Sequence, residues 1–217
     1  MRILCIVLLW PALLFAEPAV PLRAVVSESN TAPYAIFNAG QVLEAGLSKD
    51  IIDELASNLN RQVTYLNLPR SRVEPWLQDG EADVACFLSP DWVSAPDSLQ
   101  WTEPLFSTQQ LLVRRKDSAV ITAVQHLAGK HVGTTRGFTY PELEQVFRLG
   151  DVIRDDAHSL ESNLLRLKQG RLDVENFYYA QEDELFAAAE RDGFSWSVHR
   201  PHTITGIAVL LQELARR

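Results

Sequence analysis

The chain has 217 residues, of which 47% are hydrophobic and 22% are charged, an ordinary composition for a globular protein with room for two small lobes. The formal net charge is −8, which argues against a nucleic-acid partner, because surfaces that follow a phosphate backbone need clustered lysine and arginine. An acidic balance favours solubility and carries no information about fold.

The N-terminus has the pattern of an export signal. Met1-Arg2 is followed by an apolar run over residues 3–15 that breaks at Ala16. A positive end, an apolar stretch of this length and a small residue at the break are typical of a secretory signal peptide. The run is shorter than the roughly 20 residues of a membrane-spanning helix. We therefore predict a cleaved signal peptide over residues 1–16 and an exported mature chain.

The first half of the mature chain alternates strands and helices. We predict strands over 22–27, 63–68 and 83–88, and helices over 47–59 and 74–78. Ser48 is the predicted cap of the first helix, and Pro75 is placed in the first turn of the second. Cys86, the single cysteine of the mature chain, is interpreted as a small buried residue of the third strand. This βαβαβ order predicts parallel strands with helices on both faces.

The same alternation then restarts. We predict strands over 111–114, 131–134, 151–154, 172–177 and 194–198, and helices over 123–127, 141–147, 160–169 and 182–191. In the tail, Ile204, Ile207, Leu211 and Leu214 have the spacing of one helix face, which predicts a final helix. Two α/β units in series predict two lobes. The ligand site is expected in the cleft between them, because open α/β sheets bind ligands beyond the carboxyl ends of their strands.

A glycine-framed loop, residues 133–139, joins a predicted strand to a predicted helix. Free backbone N–H groups and the helix dipole at such a place form a site for a carboxylate or a phosphate. The loop matches neither the P-loop nor the dinucleotide-binding fingerprint. An anion-binding loop and an ordinary turn fit the sequence equally well.

Six short segments follow one another in an order typical of a known family. They are Ala32-Pro33-Tyr34, Gly46–Asp53, Gly80–Val84, Trp101–Phe106, Leu127–Gly133 and Gly170–Val174. Together they resemble the type II periplasmic solute-binding proteins of the amino-acid uptake branch. The resemblance implies a two-lobed α/β fold of the Venus-flytrap kind, in which each lobe is a mostly parallel sheet flanked by helices.

The resemblance also implies a domain organisation and a way of working. Lobe 1 is predicted over 17–112, lobe 2 over 113–202, and a short return segment to lobe 1 over 203–217. The implied function is capture of a small polar or amino-acid-like solute by inter-lobe closure in the periplasm. The implied partners of this monomer, besides the solute, are an inner-membrane ABC permease or the ectodomain of a sensor.

Seven residues are the predicted contacts with the solute: Tyr34, Arg72, Ser89, Trp92, Thr134, Arg136 and Phe138. Tyr34 follows the first strand, where the family presents an aromatic wall. Arg70 and Arg72 both follow the second strand, and Arg72 is preferred as the bidentate partner of a carboxylate. Tyr34 and Trp92 have packing over the core of the first lobe as their alternative.

The sequence also departs from the family at two charged positions. The family resemblance implies an arginine three residues after Ser89, where this chain has Trp92. It implies an aspartate near Tyr178 as the partner of an α-ammonium group. Because both charge partners of an amino-acid zwitterion are missing at these positions, another polar or aromatic solute fits the sequence as well.

We predict no catalytic residue, no metal site and no cofactor. The 5 histidines lack metal-ligand spacing, and neither a His-Glu-x-x-His nor a Gly-x-Ser-x-Gly motif occurs. Two alternatives stay open: an exported ligand-sensing or accessory protein without transport, and a periplasmic enzyme like the cyclohexadienyl dehydratases. The enzymatic alternative depends on fold analogy alone.

Overall fold

The computed structural model describes residues 20–179 and 194–209, and for 106–110, 176–179 and 194–209 it describes the backbone alone. The predicted signal peptide, the helix predicted over 182–191 and residues 210–217 lie outside the described residues. Within the described part, no helix has the length and apolar character needed to cross a bilayer.

The first α/β unit has the predicted order, with a small hairpin added. Its elements are β1 (Leu22–Ser27), β2 (Ile36–Phe37), β3 (Leu43–Ala45), α1 (Leu47–Asn58), β4 (Val63–Leu68), α2 (Arg70–Gln78) and β5 (Val84–Leu88). Strand β1 lies between β4 and β5 and is parallel to both. Both faces of this sheet are covered by apolar clusters, one with residues of α1 and one with residues of α2.

The second unit repeats this order. After β6 (Gln100–Trp101) and β7 (Pro104–Arg115) come β8 (His131–Thr135), α3 (Glu144–Leu149), β9 (Ile153–Ala157), α4 (Leu160–Lys168), β10 (Val174–Tyr179) and β11 (Phe194–Val209). The helix predicted at 123–127 is a short 3₁₀ turn over Val124–Leu127. Strand β8 lies between β9 and β10 and is parallel to both.

A two-stranded antiparallel ribbon joins the two units. Strands β7 and β11 pair along most of their length, β5 pairs with β11, and β10 pairs with β7. The strand order is therefore β4-β1-β5-β11-β7-β10-β8-β9, with β6 attached to β11. The predicted lobe boundaries at residues 112 and 202 fall inside the two ribbon strands, and the division at these positions stays a prediction.

The helix predicted for the tail is wrong as far as the structure describes it. Residues 204–209 continue β11, where Thr205 lies opposite Leu88 and Val209 opposite Val84. Ile207 and Val209 have the two-residue spacing of a strand, so this short segment fits a strand as well as a helix. Because β5 and β7 both offer backbone hydrogen bonds here, pairing with them decides the conformation.

Two helix starts also differ from the prediction. Ser48 is not a cap, because the N-cap of α1 is Gly46 and Ser48 is buried in the helix. Gly46 has φ of 115°, and a Cβ there would lie 2.8 Å from the carbonyl oxygen of Tyr34. Helix α2 begins at Arg70, after Pro69, so Pro75 lies inside the helix and not in its first turn.

Candidate ligand-binding site

A cleft opens at the carboxyl ends of β1 and β5 and is closed from the other side by the loop that follows β8. It encloses about 450 Å³ of empty space, part of it open to solvent. An adjoining space of about 470 Å³ shares Asn30, Phe87, Trp92 and Phe138 with it. The described residues that line the two are Val25, Ser27, Ser29, Asn30, Thr31, Tyr34, Arg70, Val73, Ala85, Cys86, Phe87, Leu88, Trp92, Phe138 and Thr139.

Four aromatic side chains form the walls of this cleft: Tyr34, Phe87, Trp92 and Phe138. The rings of Tyr34 and Phe87 meet edge to face, with their centroids 4.9 Å apart. Tyr34 and Trp92 also pack against the core of the first unit, as their alternative interpretation expected, and contact with a solute stays a prediction for both. Phe138 reaches the same cleft from the second unit.

Phe87 has a strained backbone at this site. Its φ is 59°, although it stands within β5 and is 9% exposed. A bulky residue in the left-handed region costs about 1–3 kcal/mol, and such strain concentrates at ligand sites. The strained residue that the structure places here had no signal in the sequence, because Phe87 lies in an unremarkable apolar run.

Arg70 is the positively charged side chain of the cleft among the lining residues the structure describes. It is 8% exposed, and its Nη2 donates to the carbonyl oxygen of Trp92 at 3.2 Å. Burial lowers the pKa of the guanidinium, while the charge of Glu74, one turn along α2, acts in the opposite direction.

Arg72 is exposed and does not line the cleft, so the preference for Arg72 over Arg70 is corrected. The reason is the helical register. Because α2 starts at Arg70, the positions that face the sheet are Arg70, Val73 and Leu77, all buried. Arg72 lies on the outer face. The prediction started this helix at residue 74 and so treated both arginines as loop residues.

Ser89 and Thr134 have structural hydrogen bonds and are not among the lining residues. The Oγ of Ser89 accepts from the backbone N–H of Asp91 at 3.4 Å and caps the 3₁₀ turn Pro90–Trp92. Thr134 is fully buried, and its Oγ1 donates to Oδ1 of Asp156 at 2.7 Å. Direct contact with a solute remains a prediction for both residues.

The loop over 133–139 does not lead into a helix N-terminus. Helix α3 begins only at Glu144, so the dipole that an anion-binding loop needs is not at this place. Arg136 is exposed, and its Nη1 lies 3.1 Å from Nε2 of His158. Of the predicted residues in this loop, the structure brings Phe138 into the cleft and leaves Arg136 outside the lining set.

The same loop touches the first unit across the cleft. Gly137 has φ of 80°, and a Cβ on it would come within 3.2 Å of the backbone nitrogen of Ser71 and 3.3 Å of Cβ of Arg70. The tight approach and the positive φ both favour glycine at this position. The two units are therefore in contact over the site.

Cys86 supplies an apolar wall. It is a free, buried thiol, and burial raises its pKa to about 12, which keeps it protonated at neutral pH. The prediction that it is a small buried residue is confirmed. Among the residues the structure describes, no group of three His, Cys, Asp or Glu side chains could hold a metal ion.

Sequence comparisons find relatives of two different kinds. No family model matches the chain. A 39-residue stretch is 54% identical to (S)-8-oxocitronellyl enol synthase ISY1 of Nepeta cataria, but it covers only 10% of that enzyme. Over 137 residues, 63% of this chain, the sequence is 27% identical to the histidine-binding periplasmic protein of Salmonella typhimurium. That match spans about half, 52%, of the relative's length.

The solved structures cover nearly the whole chain. An ancestral arginine-binding protein bound to arginine superimposes with a TM-score of 0.73 at 21% identity, covering 92% of this chain and 91% of that one. The substrate-binding protein of an amino-acid ABC transporter superimposes with a TM-score of 0.70 at 16% identity, covering 91% and 89%. The chain therefore has the two-lobed α/β fold of the type II periplasmic solute-binding proteins, as its sequence motifs predicted.

Proposed function

We propose that this chain is an exported periplasmic protein that captures a small solute between its lobes and delivers it to an inner-membrane ABC-type importer. The observation that carries the proposal is the cleft itself. Four aromatic side chains and a buried arginine converge on it, and Gly137 of the second unit contacts Ser71 and Arg70 of the first unit above it.

The proposal includes binding without turnover by a monomer. The histidine-binding relative and the amino-acid ABC transporter neighbour support it by analogy. The proposed lobes are 17–112 and 113–202, with a return segment over 203–217. The proposed contacts keep Tyr34, Trp92 and Phe138 and replace Arg72 by Arg70.

The test is a thermal-shift screen of the exported chain against amino acids, polyamines, organic acids, sugars and aromatic acids. A true solute stabilises the native state by mass action, about 2.7 kcal/mol at a hundredfold excess over Kd. Titration calorimetry should then give one site per chain, and small-angle scattering should show compaction on binding. A saturable stabiliser whose titration leaves the compound chemically unchanged supports binding without turnover.

The Trp92→Ala variant tests the location. Loss of a central aromatic wall should weaken binding at least tenfold, because aromatic anchors dominate such sites. Arg72→Ala, on the outer face of α2, is the matched control and should leave Kd within about threefold. Equal effects of the two variants would contradict this site assignment.

A further inference from the structure

We infer that the solute of this cleft is an organic anion with a planar, apolar body and no ammonium group, and that its acidic group pairs with Arg70. This inference depends on the proposed function and names the chemical class of the solute. Aromatic and conjugated carboxylates are the simplest members of the class. A free amino acid is not a member, since it carries an α-ammonium group.

The charges around the cleft carry the first step. Among the described lining residues, the only side chain with a formal charge at neutral pH is Arg70, and none is a carboxylate. An ammonium group buried without an anionic partner is strongly disfavoured. A zwitterion would therefore find a charged partner for its carboxylate and, within this described lining, no charged partner for its ammonium group.

The hydrogen-bond donors of Arg70 and its place at the start of α2 also favour an anion. A guanidinium has five N–H donors, and the hydrogen bond the structure records for Arg70 uses one of them, to the carbonyl of Trp92. No carboxylate of the described residues forms an ion pair with it. It also stands at the first position of α2, where the positive end of the helix dipole disfavours a cation. A buried anion next to Arg70 would relieve both costs.

Glu74, the nearest acidic residue along α2, is already engaged elsewhere. Its Oε1 accepts hydrogen bonds from the backbone N–H of Ser94 at 2.9 Å, the Oγ of Ser94 at 2.7 Å and the backbone N–H of Ala95 at 2.9 Å. Glu74 therefore holds the segment that follows Trp92, and although its charge acts on Arg70, it forms no recorded ion pair with the guanidinium.

The shape of the solute follows from the remaining walls. The rings of Tyr34, Phe87, Trp92 and Phe138 suit a flat, apolar body, since stacking and edge contacts reward planar groups. Asn30 and Thr31 add neutral hydrogen-bonding groups for a hydroxyl or carbonyl substituent.

The experiment compares matched probes that differ at one group. Titration calorimetry of the exported chain uses 3-phenylpropionate, its amide, and phenylalanine, and the same series built on indole-3-propionate. The inference expects saturable binding of the carboxylates, with the amides and the amino acids at least tenfold weaker. Replacing the carboxylate by the amide should raise Kd by roughly 10- to 150-fold, because it removes hydrogen bonds to a charged group.

Variants locate the effect. Arg70→Gln should weaken carboxylate binding by roughly 10- to 150-fold, whereas Arg72→Gln, which removes the same charge from the outer face of α2, should leave Kd within about threefold. Arg70→Lys keeps the charge but not the bidentate fork, and should show an intermediate loss. The melting temperature of unliganded Arg70→Gln shows whether that variant folds. If it does not fold, Arg70→Lys tests the role of Arg70 in its place.

Preferential binding of phenylalanine, or carboxylate binding that survives Arg70→Gln unchanged, would overturn the inference and leave the proposed function standing. The absence of saturable binding by any compound class in the wider screen would overturn both.

Discussion

The two α/β units share a scaffold but differ in what they bury. In each, a glycine with φ of 71°, Gly80 or Gly170, precedes an aspartate three positions on. Asp83 exchanges two hydrogen bonds with the backbone of Arg23, at 2.8 Å each. Asp173 exchanges the same two with the backbone of His131, at 2.9 Å each. The turn pins β5 to β1 in the first unit and β10 to β8 in the second.

The side chains around this shared turn differ. Arg23 forms a bidentate pair with Asp83, and Arg61 adds a third nitrogen at 3.7 Å. Burial raises the pKa of Asp83, but the hydrogen bonds from Arg23 outweigh it and lower the pKa overall. In the second unit the ring of His131 points to Asp155 instead, 3.6 Å away.

The cores beneath the turns differ as well. Val25 lies opposite Ala85 in the first unit, and at the equivalent place in the second unit Gly133 lies opposite Glu175. The first unit keeps this position apolar on the side that leads to the cleft. The second unit buries a carboxyl group whose space exists because Gly133 has no side chain. The same backbone arrangement thus has an apolar wall in the first unit and a buried polar group in the second.

The largest expected effect breaks the shared turn. Asp83→Ala leaves Arg23 and Arg61 without their carboxylate and should lower the free energy of unfolding by about 2–4 kcal/mol. Asp173→Ala loses one backbone hydrogen bond and should cost about 1 kcal/mol. Urea denaturation of the two variants checks this order. Equal losses would show that the arginine pairs around Asp83 add little.

The next effect concerns the buried pair of the second unit. A Cβ at position 133 would meet Oε2 of Glu175 at 2.1 Å and Cδ1 of Leu172 at 2.6 Å. Gly133→Ala should therefore destabilise by about 1–3 kcal/mol through overpacking. The double variant Gly133→Ala with Glu175→Ala imitates the Val25 and Ala85 pair and should recover part of that loss. Additive losses in this double-mutant cycle would contradict a steric clash between the new Cβ and Glu175.

A smaller effect is expected for the contact between the units. Gly137→Ala should weaken solute binding about fivefold to tenfold, because the new methyl group presses on Ser71 when the lobes are closed. Gly150→Ala is the matched control, since Gly150 has φ of 76° and nothing within 4 Å of its Cβ position. Both should cost about 1 kcal/mol of backbone strain. Equal affinities of the two variants would show that this contact does not limit closure.

The smallest expected effect is the pH-dependent contribution of Glu175 to stability. Burial raises its pKa well above the ordinary value of 4.5, although Asn163 and Arg166 act in the opposite direction. The folded state therefore holds the proton of Glu175 more tightly than the unfolded chain does. The stability that this protonation contributes is fully present below about pH 4.5, and it is lost as the pH rises towards and through the pKa of Glu175 in the folded state.

Glu175→Gln should therefore melt within about 2 °C of the wild type at pH 4.5 and above it at pH 8. Melting temperatures of both proteins across this range give the comparison. A constant difference at all pH values would contradict a raised pKa of Glu175.

Local pattern predicted much of this molecule. Strands β1 and β4 were predicted residue for residue, since each is a run of 6 residues next to a proline, the length of a strand and too short for a helix. Strand–helix alternation in two successive units was enough to indicate two lobes, and the resemblance to the solute-binding proteins implied their fold. The aromatic residues Tyr34, Trp92 and Phe138 were predicted near the ligand, and the structure brings all three to one cleft.

The sequence by itself determined the two α/β units, because strands and helices follow from hydrophobic periodicity within ten or so residues. Only the tertiary structure decided that Arg70 and not Arg72 faces the cleft, since side chains two residues apart on a helix point to nearly opposite faces. Likewise, only long-range pairing made residues 204–209 a strand. Contacts such as that of Gly137 with Ser71 join residues more than sixty positions apart, and no local pattern encodes them.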